Sequence, residues 1–206
     1  GDSADCNPIQ VSIGQFYGIE INDFAVTVAK TALWIAESQM MKETEEIVRM
    51  HLEFLPLTSY ANIVEGNALR IDWETIVSKD KLNYIMGNPP FVGYSLQSKD
   101  QKDDMLSIYV DEKGKPYKTA GKIDYVAGWY FKAAQMMVGT NIRTAFVSTN
   151  SITQGEQVAG VGSRCMTASV FILTLPIVPS VGTVKQILKP MYTVSLLALA
   201  LHQILV

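Results

Sequence analysis

Cysteine is scarce in this chain: of 206 residues, only Cys6 and Cys165 carry thiols. Two thiols so far apart support neither a disulfide framework nor a metal site, and they fit a reducing, cytoplasmic setting. A basic start followed by an apolar core is also lacking, so no signal peptide is expected. No excess of positive charge announces a nucleic-acid binder. The formal net charge is −3, so phosphate contacts would have to come from local basic patches or from parts outside this sequence. Hydrophobic residues make up 48% and charged residues 18%, which at this length allows one globular domain with a core.

Negative charge is missing from one end. All 20 Asp and Glu residues lie at or before Glu156, and residues 162–206 hold only Arg164, Lys185 and Lys189 as charges. A folded segment of that length ordinarily carries acids on its exposed face. Pro176, Pro179 and Pro190 punctuate its apolar stretches, among them Ser169–Val178 and Leu196–Val206. Neither reaches the roughly 18 apolar residues needed to span a bilayer. No membrane anchor is expected. The chain divides into residues 1–161, which read as a folded domain, and residues 162–206, an aberrant tail expected to be poorly ordered.

What is present concentrates near the middle, in Gly87-Asn88-Pro89-Pro90-Phe91. An apolar run, residues 82–86, reads as a short buried strand that delivers this proline-stiffened turn. The amide oxygen of Asn88 and the carbonyl of Pro89 can both accept protons from one –NH2 group. Each proline fixes its own φ, and Pro90 biases Pro89 toward extended geometry, so that carbonyl is pre-aimed. Phe91 offers a π-face. Together they suit a flat, amine-bearing ring. The plainer alternative is an Asn-Pro turn beside a core phenylalanine.

Around this turn, strands alternate with helices. Phe16–Ile21 reads as a strand; Asn22 caps a helix over 23–41, with Val26, Ala29, Leu33, Ala36 and Met40 as its core-facing stripe. Asn62–Val64 is the next strand, and Gly66-Asn67-Ala68-Leu69 the turn after it. Residues 93–121 read as a long surface loop with some helix, Asp124–Val138 as a helix, and Arg143–Ser148 as a strand leading into Asn150. The alternation predicts a parallel α/β sheet, in which ligands sit beyond the carboxyl ends of the strands. Glu20, Asn67, Asn88 and Asn150 all fall at such ends.

The strings YGIEINDFAVTVAKTALWIAE, EGNALRIDW, GNPPFVGYS, GKIDYVAGWY and TAFVSTNSITQGEQ together resemble the MmeI-like adenine-specific DNA methyltransferases of restriction–modification systems. The resemblance covers about residues 10–161. It implies a class I Rossmann-like α/β fold that uses S-adenosyl-L-methionine. By motif position Glu20 would accept hydrogen bonds from the cofactor ribose hydroxyls and Ile21 would pack on its adenine. Asn67 and Ala68 would lie against the same adenine, although relatives often carry Asp where this chain has Asn67. Asn88, Pro89, Pro90 and Phe91 would hold a target adenine flipped out of double-stranded DNA, its amine nitrogen made nucleophilic for direct methyl transfer. Such a reaction needs no metal and no general-base histidine, so His51 and His202 read as bystanders.

Two departures bear on that expectation. The family's Gly-rich cofactor loop after its first strand has no counterpart here, so the Rossmann-like sheet is expected to be incomplete. After residue 161, where relatives continue with a Trp-Lys-Pro segment, further strands and a target recognition domain, this chain reads Gly162-Ser163-Arg164-Cys165. One permitted codon choice for Val161–Val206, read one nucleotide earlier, encodes a family-like string beginning WKPLYDRFGIHIDF. A frameshifted tail is therefore expected, and this chain is expected to be inactive without the recognition domain and the other missing parts. Competing readings are an amine methyltransferase acting on ribosomal RNA or on protein glutamine, which uses similar turns, and a remnant without function. Lys99, Lys102, Lys113, Lys115, Lys118 and Lys122 could touch phosphates, but five interleaved acids between residues 100 and 112 favour a solvated loop.

Overall fold

The computed structural model describes residues 11–49, 61–111, 113–148 and 150–153; Cys6, Cys165, both histidines and the tail from 162 onward lie outside them. Strand β1 (Tyr17–Glu20) leads into helix α1 (Asp23–Val48), and strand β2 (Asn62–Glu65) returns parallel to β1, with Gly18 opposite Ile63 and Glu20 opposite Glu65. The Asn22 side chain accepts a hydrogen bond from the Ala25 amide at 2.9 Å, capping α1, and Asp23 sits in its first turn, where a negative charge favours the helix dipole. The charged stretch from Lys42 continues the helix, which stops at Arg49 in the left-handed region (φ 52°). The apolar stripe is less buried than its spacing predicts. Val26, Ala29 and Leu33 are half-buried, Ala36 and Met40 are exposed, and no side chain of α1 is fully buried.

The second half is built differently. Strand β3 (Tyr84–Gly87) pairs in parallel with β4 (Arg143–Phe146), and helices α2 (Lys99–Ile108) and α3 (Ala127–Met137) lie between them in sequence. Ser98 and Gln101 form a reciprocal capping box that starts α2. Eight residues of α3 are buried, including Tyr130, Phe131, Ala133 and Met137. The core joins α3 to Leu69, Met105, Tyr109, Ile123, Phe146 and Ile152. Tyr109 stacks on Phe131 with ring centroids 4.5 Å apart, and Tyr130 meets Phe146 edge-on at 5.1 Å, geometries that favour aromatic pairs. Helix α3 approaches the turn after β2 closely: a Cβ on Gly128 would lie 3.0 Å from both Leu69 methyls.

The structure refines two expectations. Among the described residues the expected parallel pairing is seen as two two-stranded ladders, β1-β2 and β3-β4; alternation along the chain specifies parallel pairing but not which pairs adjoin. Residues 93–121 are largely exposed and hold the expected helix, α2, but they also contribute to the core. Gln97, Asp104, Met105, Ile108, Tyr109 and Ala120 are buried there, because capped α2 turns one face into the core. Among the described residues, no helix is long and apolar enough to cross a membrane.

Candidate active site

The turn after β3 carries the residues that the sequence singles out, Asn88 to Phe91. Pro89 is buried and anchors the turn, while Asn88 and Pro90 are exposed and Phe91 is 45% exposed. Neither the Asn88 amide nor the Pro89 carbonyl has a hydrogen-bond partner among the described residues. Two acceptors and an exposed ring are thus available at a strand end. Pro90 is engaged differently, its carbonyl accepting from the Val92 amide at 3.2 Å. The β3 and β4 ends are held together by the Val147 amide, which donates to the Gly87 carbonyl at 3.0 Å.

On the other ladder, Glu20 is half-buried at the end of β1, and Ile21 beside it is 64% exposed. The Glu20 carboxylate has no partner among the described residues, while its backbone carbonyl accepts from Gly66 at 2.7 Å. Gly66 has φ 152°, and a Cβ there would collide with the Ile71 side chain, so glycine is required at this crossing. An unengaged carboxylate beside an exposed apolar side chain fits the ribose and adenine of a nucleoside cofactor. Asn67 is more committed. Its Oδ1 accepts from the Leu69 amide and its Nδ2 donates to Asp104, each at 2.9 Å, leaving one N–H and one lone pair for a ligand. The carbonyl of half-buried Ala68 accepts from the Trp73 indole at 2.8 Å.

Sequence reasoning missed the residues that tie these ends together. Asp104, 3% exposed, accepts from Asn67, from Arg70 Nε at 2.6 Å and from the Tyr125 hydroxyl at 2.7 Å. Burial, reinforced by the hydrogen bond to Asp104, pushes the Tyr125 phenol up to about 12. The same carboxylate drives the Arg70 guanidinium further up. Asp124, also buried, accepts from the Tyr94 amide at 3.0 Å and from the Ser151 hydroxyl at 2.7 Å. The Tyr125 amide donates to the Val92 carbonyl at 2.9 Å, and Gln97 Nε2 donates to the Ile123 carbonyl at 2.8 Å. Residues 123–125 are therefore a hub at which the segments following β2, β3 and β4 meet. The available signal was the Ser98/Gln101 capping box, which marks α2 and puts Asp104, Met105 and Ile108 on one face. Asn150 lies in a short 3-10 turn, Asn150–Thr153, and the hub reaches its neighbour Ser151.

The family described as MmeI, DNA-methyltransferase domain matches residues 3–173. The chain belongs to that family. DNA methyltransferase A of Bacillus subtilis (strain 168) is 44% identical over 152 residues, 72% of this chain and 17% of that protein. A solved structure of the type IIL restriction–modification enzyme MmeI in complex with DNA superposes with a TM-score of 0.69 at 42% identity. That match covers 78% of this chain and 21% of the enzyme. The chain thus spans about a fifth of the length of these relatives. As an MmeI-type DNA methyltransferase domain it is a mixed α/β structure with small parallel sheets.

Proposed function

We propose that this domain serves site-specific transfer of a methyl group from S-adenosyl-L-methionine to the 6-amino group of adenine in double-stranded DNA. The observation that carries the reading is the turn after β3, where the Asn88 amide oxygen and the Pro89 carbonyl stand unengaged beside an exposed Phe91. Phe91 stacks on an adenine extruded from the duplex. The Asn88 amide oxygen and the Pro89 carbonyl accept hydrogen bonds from the two amine N–H groups, which pulls the nitrogen toward tetrahedral geometry and turns its lone pair outward. Glu20 accepts from ribose hydroxyls, and Ile21 packs on the cofactor's adenine. When bound, S-adenosyl-L-methionine supplies an electrophilic methyl group. Binding of DNA by the MmeI enzyme supports DNA as the substrate class. The matched segment is about a fifth of each relative, and in this reading a recognition domain of the whole protein supplies the base sequence.

The test replaces the asparagine aligned with Asn88 by alanine in an intact relative such as DNA methyltransferase A, with labelled S-adenosyl-L-methionine and duplex DNA as substrates. Loss of about 100-fold or more in methyl transfer is expected, with 6-methyladenine as the labelled base that the unmodified enzyme forms in the DNA. Undiminished transfer, or label in RNA or protein glutamine instead, overturns the reading.

A further inference from the structure

We propose that the Asp124-Tyr125 pair acts as a brace that sets the spacing between the methyl-donor side and the target-base side of the site. The inference rests on the function proposed above for the two sides, but the brace itself is a matter of hydrogen bonds. Toward the base side, Asp124 holds the Tyr94 amide and the Tyr125 amide holds the Val92 carbonyl, so the segment leaving Phe91 is fastened at two points. Asp124 Oδ2 accepts from Ser151 at 2.7 Å and so binds the turn after β4 to the same carboxylate. Toward the donor side, the Tyr125 hydroxyl reaches Asp104, the acid that also receives Asn67 and Arg70 from the turn after β2. One dipeptide therefore grips both subsites through different groups, the carboxylate of one residue and the phenol of the next. Both residues are buried, which makes these bonds worth more than exposed ones and costly to leave unmade. In-line transfer depends on the distance between donor and acceptor, and small misplacements are expensive in rate. Asp124 and Tyr125 are positioning residues; neither is placed against a reacting atom.

The two grips can be cut separately. In this chain, Asp124→Ala is expected to speed amide exchange across residues 92–97 and at Ser151 by about tenfold or more, one hydrogen bond to a charged group, with Asp124→Asn restoring much of the protection. Tyr125→Phe is expected to speed exchange in residues 66–70 while 92–97 keep theirs. In an intact relative with an aspartate-tyrosine pair at the aligned positions, the aspartate-to-alanine change should lower kcat about 10- to 100-fold and leave KM for S-adenosyl-L-methionine within about twofold. The tyrosine-to-phenylalanine change should do the reverse, raising that KM with kcat nearly kept. The brace is overturned if Asp124→Ala leaves 92–97 protected, or if both changes depress kcat and cofactor affinity alike. Failure of the functional reading looks different: the alanine at the Asn88 position retains full transfer while the selective exchange pattern stands.

Discussion

Helix α1 has 26 residues and buries none of them, whereas α3 has 11 and buries eight. Around α1, Ile47 is 81% exposed and Phe24 76%, and Val28 and Ile35 are also exposed. Around α3, Tyr109, Tyr130, Met105 and Ile123 are shut away from water almost completely. The longer helix meets β1 and β2 with side chains that are only half-buried, among them Val26, Ala29 and Leu33. It adds its Asn22 cap and its own backbone ladder, onto which Thr27, Thr31, Ser38 and Thr44 add hydroxyl bonds to carbonyls one turn back. The shorter one rests on tertiary packing. Because most helix stability in folded proteins comes from packing a face and not from length, the region from Gly66 to Thr153 is expected to be the stable unit and β1-α1-β2 the looser one. In the proposed reading the base-binding turn stands on the firm region and Glu20 on the soft one.

The strongest way to break that contrast is to hollow out the firm side. Tyr109→Ala removes a ring stacked on Phe131 inside the core and should cost about 3–5 kcal/mol, read as a shift of the urea midpoint. Next comes overpacking. Gly128→Ala forces a methyl group to within 3.0 Å of the Leu69 methyls and 3.2 Å of the Met105 sulfur, and a loss of about 1–3 kcal/mol follows despite alanine's better helix propensity. A gain in stability would mean that α3 sits farther from the turn after β2.

Tyr125 sharpens the contrast through pH. Its phenol ionises at about 12 in the fold against 10 for an ordinary tyrosine, chiefly because it is buried and secondly because it donates to Asp104. A group whose folded value is raised contributes fully below its unfolded value and loses that contribution as pH climbs through the folded one. Stability is therefore expected to fall between about pH 10 and pH 12. Tyr125→Phe, starting lower, should show a flatter slope across that window. Identical slopes in thermal melts of the two proteins would remove Tyr125 from the firm region's electrostatics.

How much of this was legible follows the sequence distance of each partner. The Asn22 cap and the turn at Asn88 are local, and short-range chemistry places both. Asp104 is the opposite case. In the run Lys99-Asp100-Gln101-Lys102-Asp103-Asp104 it reads as one solvated acid among several, yet its partners Tyr125, Arg70 and Asn67 lie 21, 34 and 37 residues away. Asp124 is hidden likewise, its partners 27 and 30 residues distant. Burial of a charge is decided by such partners, and nothing in the neighbouring residues announces them. The stripe on α1 fails for a related reason: spacing finds an apolar face but not whether anything covers it.

The smallest expected effect is the most direct check of the soft region. Ile47→Ala removes a large apolar side chain near the end of α1 that is already 81% exposed. If that face is uncovered in the chain as it stands, little burial is lost and alanine is the better helix former, so stability should stay within about 0.5 kcal/mol of the parent. Phe24→Ala at the other end should behave alike. A loss of about 2 kcal/mol or more at either site, the scale of a buried apolar side chain, would mean that something covers α1 in solution. The contrast between the two regions would then lie in what surrounds the helix and not in the helix itself.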